Sequence, residues 1–408
     1  MKMSDDHTFG TDTPTRREYV TYGGAVIGGG LLAGCAGQSN SGSTPTETTG
    51  DETDTGTSTG EDQSYSVTMS AVGTVEFDAV PERVAVYDSH WADHMVGLGQ
   101  QDRIISLGFP DRYYTGFYEE LPDVEFETGD LTAMYNDESY DKELLYELDA
   151  DLFHIDPYRA VATNDNFDMD DVEEIIENVG PWFANRGSAN NQIPGGADVD
   201  YEFYTLWELF SKFAEVYQVQ DRSAALKTVR DELVTEIRSN LPPEDERPSV
   251  GFAGWWKGDI WVYDPNEDGF GAAHTRPVQL NDAFPDVPGY AASNWQEGKI
   301  DVEKALDADP DVWIQINAVN GKDAFENAVS EMKDDAVASR ITAVQKDRIY
   351  PGGVNRQGPI YNLFQIEMTA KQVYPDLFGG YPGIGEPVPG DERLFDRRRV
   401  ADIINGDI

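Results

Sequence analysis

Two histidines four positions apart, His90 and His94, open an amphipathic stretch with Asp88 and Asp93 beside them. On a helix that spacing puts both imidazoles on one face, where they could hold a metal ion. Trp91, however, takes the place where a zinc hydrolase carries its glutamate base, so the motif does not read as hydrolytic. A cleft histidine beside an exposed one is the favoured reading, with direct metal binding as the alternative. The acidic run Asp168-Met169-Asp170-Asp171 reads as a solvated helix start rather than a calcium loop. With no nucleophile beside a base and no complete metal set, the sequence points away from an enzyme and needs no cofactor.

The chemistry the chain does offer is recognition. Loops that follow apolar runs supply Tyr87, His90 and Trp91, then Tyr113 and Tyr114, Tyr135, and Tyr158 with Arg159. A further loop carries Trp182, Phe183 and Arg186. In the second half come Trp255, Trp256 and Lys257, then His274 and Arg276, Asn317, and Asn355 with Arg356. Aromatic rings make rigid walls for a large ligand, and guanidinium forks recognise carboxylate, catecholate or hydroxamate oxygens. Cations are scarce: 30 Lys and Arg stand against 76 Asp and Glu, a net charge of −46. Arginines kept on such loops in such a chain point to an anionic or oxygen-rich ligand.

That charge excludes nucleic acid, whose affinity comes from cations displacing counterions, and excludes charge-driven docking on anionic lipid. It suits a medium near molar ionic strength, where the Debye length is only ~3 Å, and so a halophilic source. Hydrophobic residues at 39% and aromatics at 11% are too many for a disordered polyelectrolyte.

Elements of two kinds must position these residues. Arg83–Tyr87, Asp88–Gly99 and Arg103–Gly108 read as a βαβ unit with a parallel sheet, and Glu143–Asp156 as a helix followed by a buried strand. Tyr201–Leu241 is helical without proline, broken at Gln218–Asp221; its second part predicts a rod of about 30 Å that stops at Pro242-Pro243. Glu303–Ile316 then repeats the spacing of Glu143–Asp156, with a glutamate eight residues before the aspartate that opens a strand. The fold class expected is α/β, two Rossmann-like lobes joined by a long helix with a ligand cleft between them.

The N-terminus carries an address. Arg16-Arg17 precede an apolar, glycine-rich stretch ending Leu32-Ala33-Gly34-Cys35. The pair resembles a twin-arginine export motif and the end resembles a lipobox, which implies lipidation of Cys35, the chain's single cysteine, and no disulfides. Residues 1–35 are thus a signal and 36–64, rich in Ser, Thr, Gly and acids, a flexible tether. The body divides into a first lobe at 65–200, connecting helices at 201–241, a second lobe at 242–378 and an extension at 379–408. There the cluster Arg397-Arg398-Arg399, behind a capping Asp396, reads as a clamp on the acidic surface.

The order Pro81-Glu82-Arg83-Val84-Ala85-Val86, Gly97-Leu98-Gly99, helix-Leu-Asp-Ala-Asp-strand, long helix, Ala343–Pro351 and Gly358–Phe378 resembles the substrate-binding lipoproteins of ABC importers. It is similar to the branch that takes up ferric siderophores, cobalamin and haem, and the resemblance spans Ser66 to Phe378. It implies a monomeric binding protein on the outer face of the membrane, working with a permease and its cytoplasmic ATPase. It also implies that Glu143 and Glu303, one on each lobe, meet arginines of the permease.

Overall fold

The expected alternation of strands and helices is realised as two α/β lobes in a computed structural model that describes residues 64–135, 141–289 and 298–408. The signal, nearly all of the tether and Cys35 lie outside those residues. The described chain enters through an antiparallel hairpin, β1 (Tyr65–Met69) and β2 (Gly73–Phe77), with Val67, Met69, Val75 and Phe77 buried on one face. In the first lobe β3 (Val84–Val86), α1 (Ser89–Gly97), β4 (Ile104–Leu107) and β5 (Thr132–Ala133) are followed by α2 (Lys142–Leu148), β6 (Leu152–His154), α3 (Pro157–Ala162) and α4 (Met169–Asn178). Its strands are parallel in the order β5-β4-β3-β6, with β3 and β6 buried at every position, as strands covered on both faces must be. The chain runs outward from β3 to β5 and then returns to the other side of β3. This reversal makes a switch point between β3 and β6.

Two helices lead across. α5 (Leu206–Tyr217) opens with a capping box of Thr205 and Glu208 and ends at Gln218 in the left-handed region. α6 (Gln220–Asn240) is the rod: it meets α1 and α5 at one lobe and the turn Arg276–Val278 at the other. The second lobe comprises β7 (Ser249–Trp256), β8 (Asp259–Val262), β9 (Asn281–Asp282), β10 (Lys299–Ile300), α7 (Val302–Ala308), β11 (Val312–Gln315), α8 (Lys322–Asp334), α9 (Thr342–Gln345) and β12 (Ile349–Pro351). Its sheet runs β10-β8-β7-β11-β12, with β9 beside the start of β7; β7, β11 and β12 are parallel.

The final helices are α10 (Pro359–Val373), α11 (Pro375–Phe378) and α12 (Arg397–Asn405). Every residue of α10 is buried, and most of its polar side chains find partners outside the helix: Glu367 in Arg397 and the Leu394 amide, Gln365 in the Val354 backbone, Lys371 in the Phe378 carbonyl, while Thr369 bonds the Gln365 carbonyl one turn back. One apolar core runs without interruption through α1, α5, α6, α10 and α12, with a smaller core on the outer side of each lobe. The lobes therefore share a spine as well as a strut.

The repeated spacing has a structural basis. Asp141 and Asp301 cap α2 and α7, Asp149 and Asp309 end them in the left-handed region, and Asp151 and Asp311 accept backbone N–H groups at the head of the neighbouring strand. Asp168 and Asp171 form a capping box at the start of α4. At the C-terminus Asp396 caps α12, and only part of the arginine cluster lies on the surface. Arg398 and Arg399 pair with Asp123 and Glu232, whereas Arg397 is buried, stacked on Phe364 and Phe395, and paired with Glu367 and Glu120.

Candidate functional site

Segments that follow β3, β4, β5 and β6 in the first lobe and β8, β11 and β12 in the second open on one cleft of about 930 Å³. From the first lobe, β3 leads to Tyr87, Asp88 and Ser89; β4 leads to Phe109, Arg112 and Tyr113; and β5 leads to Tyr135. α3 contributes Arg159, and the segment after Trp182 contributes Arg186, Asn190 and Gln192. Opposite them the second lobe presents Tyr263 and Glu267 after β8, Asn317 and Asn320 after β11, and Asn355 and Arg356 after β12. A strand's end followed by a turn is where open α/β sheets place ligand contacts.

The structure thus brings Tyr87, Tyr113, Tyr135, Arg159, Arg186 and Arg356 to one cavity. The sequence pattern did not single out Arg112, although it adjoins Tyr113 on the same loop and arginine is scarce. Arg112 lies over the Phe109 ring at 4.9 Å. Glu267, Tyr263 and Phe109 were equally silent in the sequence, since nothing local distinguishes them from loop residues.

Other expected residues lie elsewhere. Trp91 is wholly buried and stacks on Phe213 at 5.2 Å. His90 and His94 are both buried, so neither is an exposed residue nor part of the cleft wall; His94 Nδ1 lies 2.7 Å from the His90 carbonyl, and burial lowers its pKa to about 4. No group of three His, Cys, Asp or Glu placed to hold a metal occurs among the described residues. Tyr114 packs on Phe117 and Tyr361, and Tyr158 on Tyr201. Trp255 bonds Glu331 of α8, and Trp256 at the β7–β8 turn is 62% exposed, away from the cavity. His274 is buried against Gln357, and Arg276 bonds the carbonyls of Glu267 and Gly269, so it braces a cleft loop from behind.

Residues 135–353, just over half of the chain, match the family described as periplasmic binding protein. The chain belongs to the periplasmic binding protein family. Solved structures agree in fold with this periplasmic binding protein. One is a periplasmic binding protein from Veillonella parvula, with 14% identity, 79% of this chain and 95% of that one covered, and a TM-score of 0.55. A substrate-binding protein of an iron uptake ABC transporter from Streptococcus pneumoniae gives 13%, 75%, 98% and 0.54. A periplasmic catecholate-siderophore binding protein from Vibrio cholerae gives 13%, 76%, 99% and 0.53. No curated protein matches the sequence.

The cleft of this periplasmic binding protein is electrostatically unlike its surface. Burial lowers the Arg186 pKa to about 10, with Asp88 opposing the shift and Arg356 and Arg159 adding to it. These guanidiniums therefore share one field. Across the cleft, burial and then the neighbouring Asp264 push the Glu267 carboxyl up to about 7. Asp156 is held by the Arg159 amide, the Arg186 amide and the Tyr201 hydroxyl, and these bonds seat α3 and the Arg186 segment on the switch point. Glu143 and Glu303 are in the first turns of α2 and α7, in equivalent positions on the two lobes.

Proposed function

We propose that this protein captures a ferric siderophore outside the cell and delivers it to the membrane permease of an ABC importer, binding without covalent chemistry. The observation that carries the reading is the cleft: Arg112, Arg159, Arg186 and Arg356 converge on about 930 Å³ in a chain whose net charge is −46. A cavity of that size with tyrosine faces and carboxamides suits a bulky chelate whose oxygens carry negative charge. The iron-uptake and catecholate-siderophore binding proteins of similar fold support the same ligand class. In this reading Glu143 and Glu303 form charge-assisted pairs with permease arginines, the ATPase acts from the cytoplasm, and the binding protein works as a monomer without a cofactor. Lipidated Cys35, reached by twin-arginine export, anchors it to the outer face of the membrane of a halophile.

No tryptophan lines the cleft among the described residues, so calorimetry reads binding more directly than indole fluorescence. Ferric catecholates, ferric hydroxamates, cobalamin and haemin are titrated at fixed salt. Saturable one-to-one binding of a ferric chelate, weakened about tenfold or more by Arg112→Ala or Arg159→Ala, is expected. Binding of cobalamin or haemin alone would replace the siderophore reading, and turnover of a substrate would replace the binding function altogether.

A further inference from the structure

Asp88 occupies the N-cap position of α1, where an aspartate ordinarily accepts the helix's own first-turn amides, yet its side chain makes no such bond. It is turned instead toward two arginines of the cleft. Its carboxylate, 6% exposed, stands 3.7 Å from Arg186 Nε on its own lobe and 3.6 Å from Arg356 Nη1 on the other. Neither contact reaches hydrogen-bond length, and Arg186 Nε is a buried donor with no acceptor. The neighbouring Asp156, by contrast, holds three hydrogen bonds. Asp88 is thus placed for charge rather than for local structure.

Resting on the proposed function, we infer that Asp88 is the charge selector of the cleft: an internal carboxylate that pairs Arg186 and Arg356 across the lobes and competes with the acidic groups of the ligand for them. A neutral ligand gains little from displacing it. A polyanion that displaces Asp88 can offer the Arg356 and Arg186 guanidiniums short, charge-assisted bonds that Asp88 does not supply, and so overcomes the competitor. Glu267, the other carboxyl of the wall, is not within ion-pair distance of these arginines.

The test compares Asp88→Asn with the parent by calorimetry at fixed salt, using a neutral ferric trihydroxamate and a trianionic ferric tricatecholate. Affinity for the trianion is expected to rise on the order of tenfold, with the neutral chelate changed by less than about twofold. Placing D88N in an Arg356→Ala background should remove most of the gain, because the contested guanidinium is gone. A loss of affinity, or equal change for both chelates, overturns the inference and makes Asp88 a positioning residue. Asp88→Ser, which retains an N-cap side chain, repeats the comparison if the asparagine variant misfolds. Hexacyanoferrate(III), a compact trianion without siderophore chemistry, reads the same arginines. A parent that binds no chelate overturns the proposed function, whereas equal affinity of parent and D88N for hexacyanoferrate overturns the role of Asp88.

Discussion

Asp93 sits within α1, wholly buried, and its carboxylate completes a helix that begins far along the chain. Asp93 Oδ2 accepts the amides of Ile360 and Tyr361 at 3.1 Å each, and Oδ1 accepts the Tyr118 hydroxyl at 2.7 Å. α10 has no cap of its own because its N-cap residue is Gly358, where a Cβ would come within 2.6 Å of Asp93 Oδ2. Burial pushes the Asp93 carboxyl up to about 7, against the opposing bonds from Tyr118 and the α10 amides. A carboxyl that holds its proton more tightly folded than unfolded contributes stability below about pH 4 and loses it as pH rises toward 7. Asp93→Asn keeps the accepting oxygen with no charge to bury. Its unfolding free energy is therefore expected to fall less than the parent's between pH 5 and 8, by roughly 2–3 kcal/mol in denaturant titrations. Parallel pH profiles would remove Asp93 as the titrating group. The sequence placed this residue beside two histidines, read as a cleft residue and an exposed one with metal binding as the alternative, because the real partners of Asp93 lie beyond any local pattern. Tyr87, Tyr113, Arg159, Arg186 and Arg356 were legible because the segments that follow the strands are held at the open edge of the sheet, whereas Arg112, on the same loop as Tyr113, carried no signal of its own. His90 and Trp91 were not, since all of α1 except Ser89 is buried and a helix with no wet face cannot show which side lines a cleft.

Two elements built alike can be told apart by the work of one residue in each. α2 and α7 both end on an aspartate in the left-handed region, Asp149 at φ 46° and Asp309 at φ 43°. Such backbone favours glycine. Asp309 offsets that strain, since its carboxylate accepts the amide and hydroxyl of Thr342 at 2.7 and 3.0 Å and so ties α7 to α9. At Asp149 the carbonyl accepts Arg83 Nε, a bond that survives loss of the side chain. Asp149→Gly is thus expected to be neutral or stabilising by about 0.5–1 kcal/mol, and Asp309→Gly destabilising by about 1 kcal/mol, in paired urea titrations. Equal effects would mean that the shared backbone outweighs the side chain. The repeat was readable because its spacing is local. The burial of α10 was not, because Asn362, Gln365, Glu367, Lys371 and Gln372 are spread around the helix and read as solvent-facing until their partners from other segments are in place.

For the whole molecule, two fields act on an approaching anion with opposite signs. The net charge of −46 repels it from a distance, while Arg112, Arg159, Arg186 and Arg356 attract it within the cleft. Salt screens both, but unequally: charges spread over the surface act across more than the Debye length, which shrinks from ~10 Å at 0.1 M to ~3 Å at 1 M, whereas the cleft arginines act at contact. The repulsion should fade first. The association rate of a trianionic ferric chelate is therefore expected to rise several-fold between 0.1 and 1 M KCl, the reverse of ordinary arginine-driven capture, with a neutral chelate nearly unaffected. Stopped-flow mixing at three salt concentrations separates the two terms. A rate that falls with salt would show the cleft field reaching past the acidic surface, and capture would then be steered by the arginines rather than permitted by the medium.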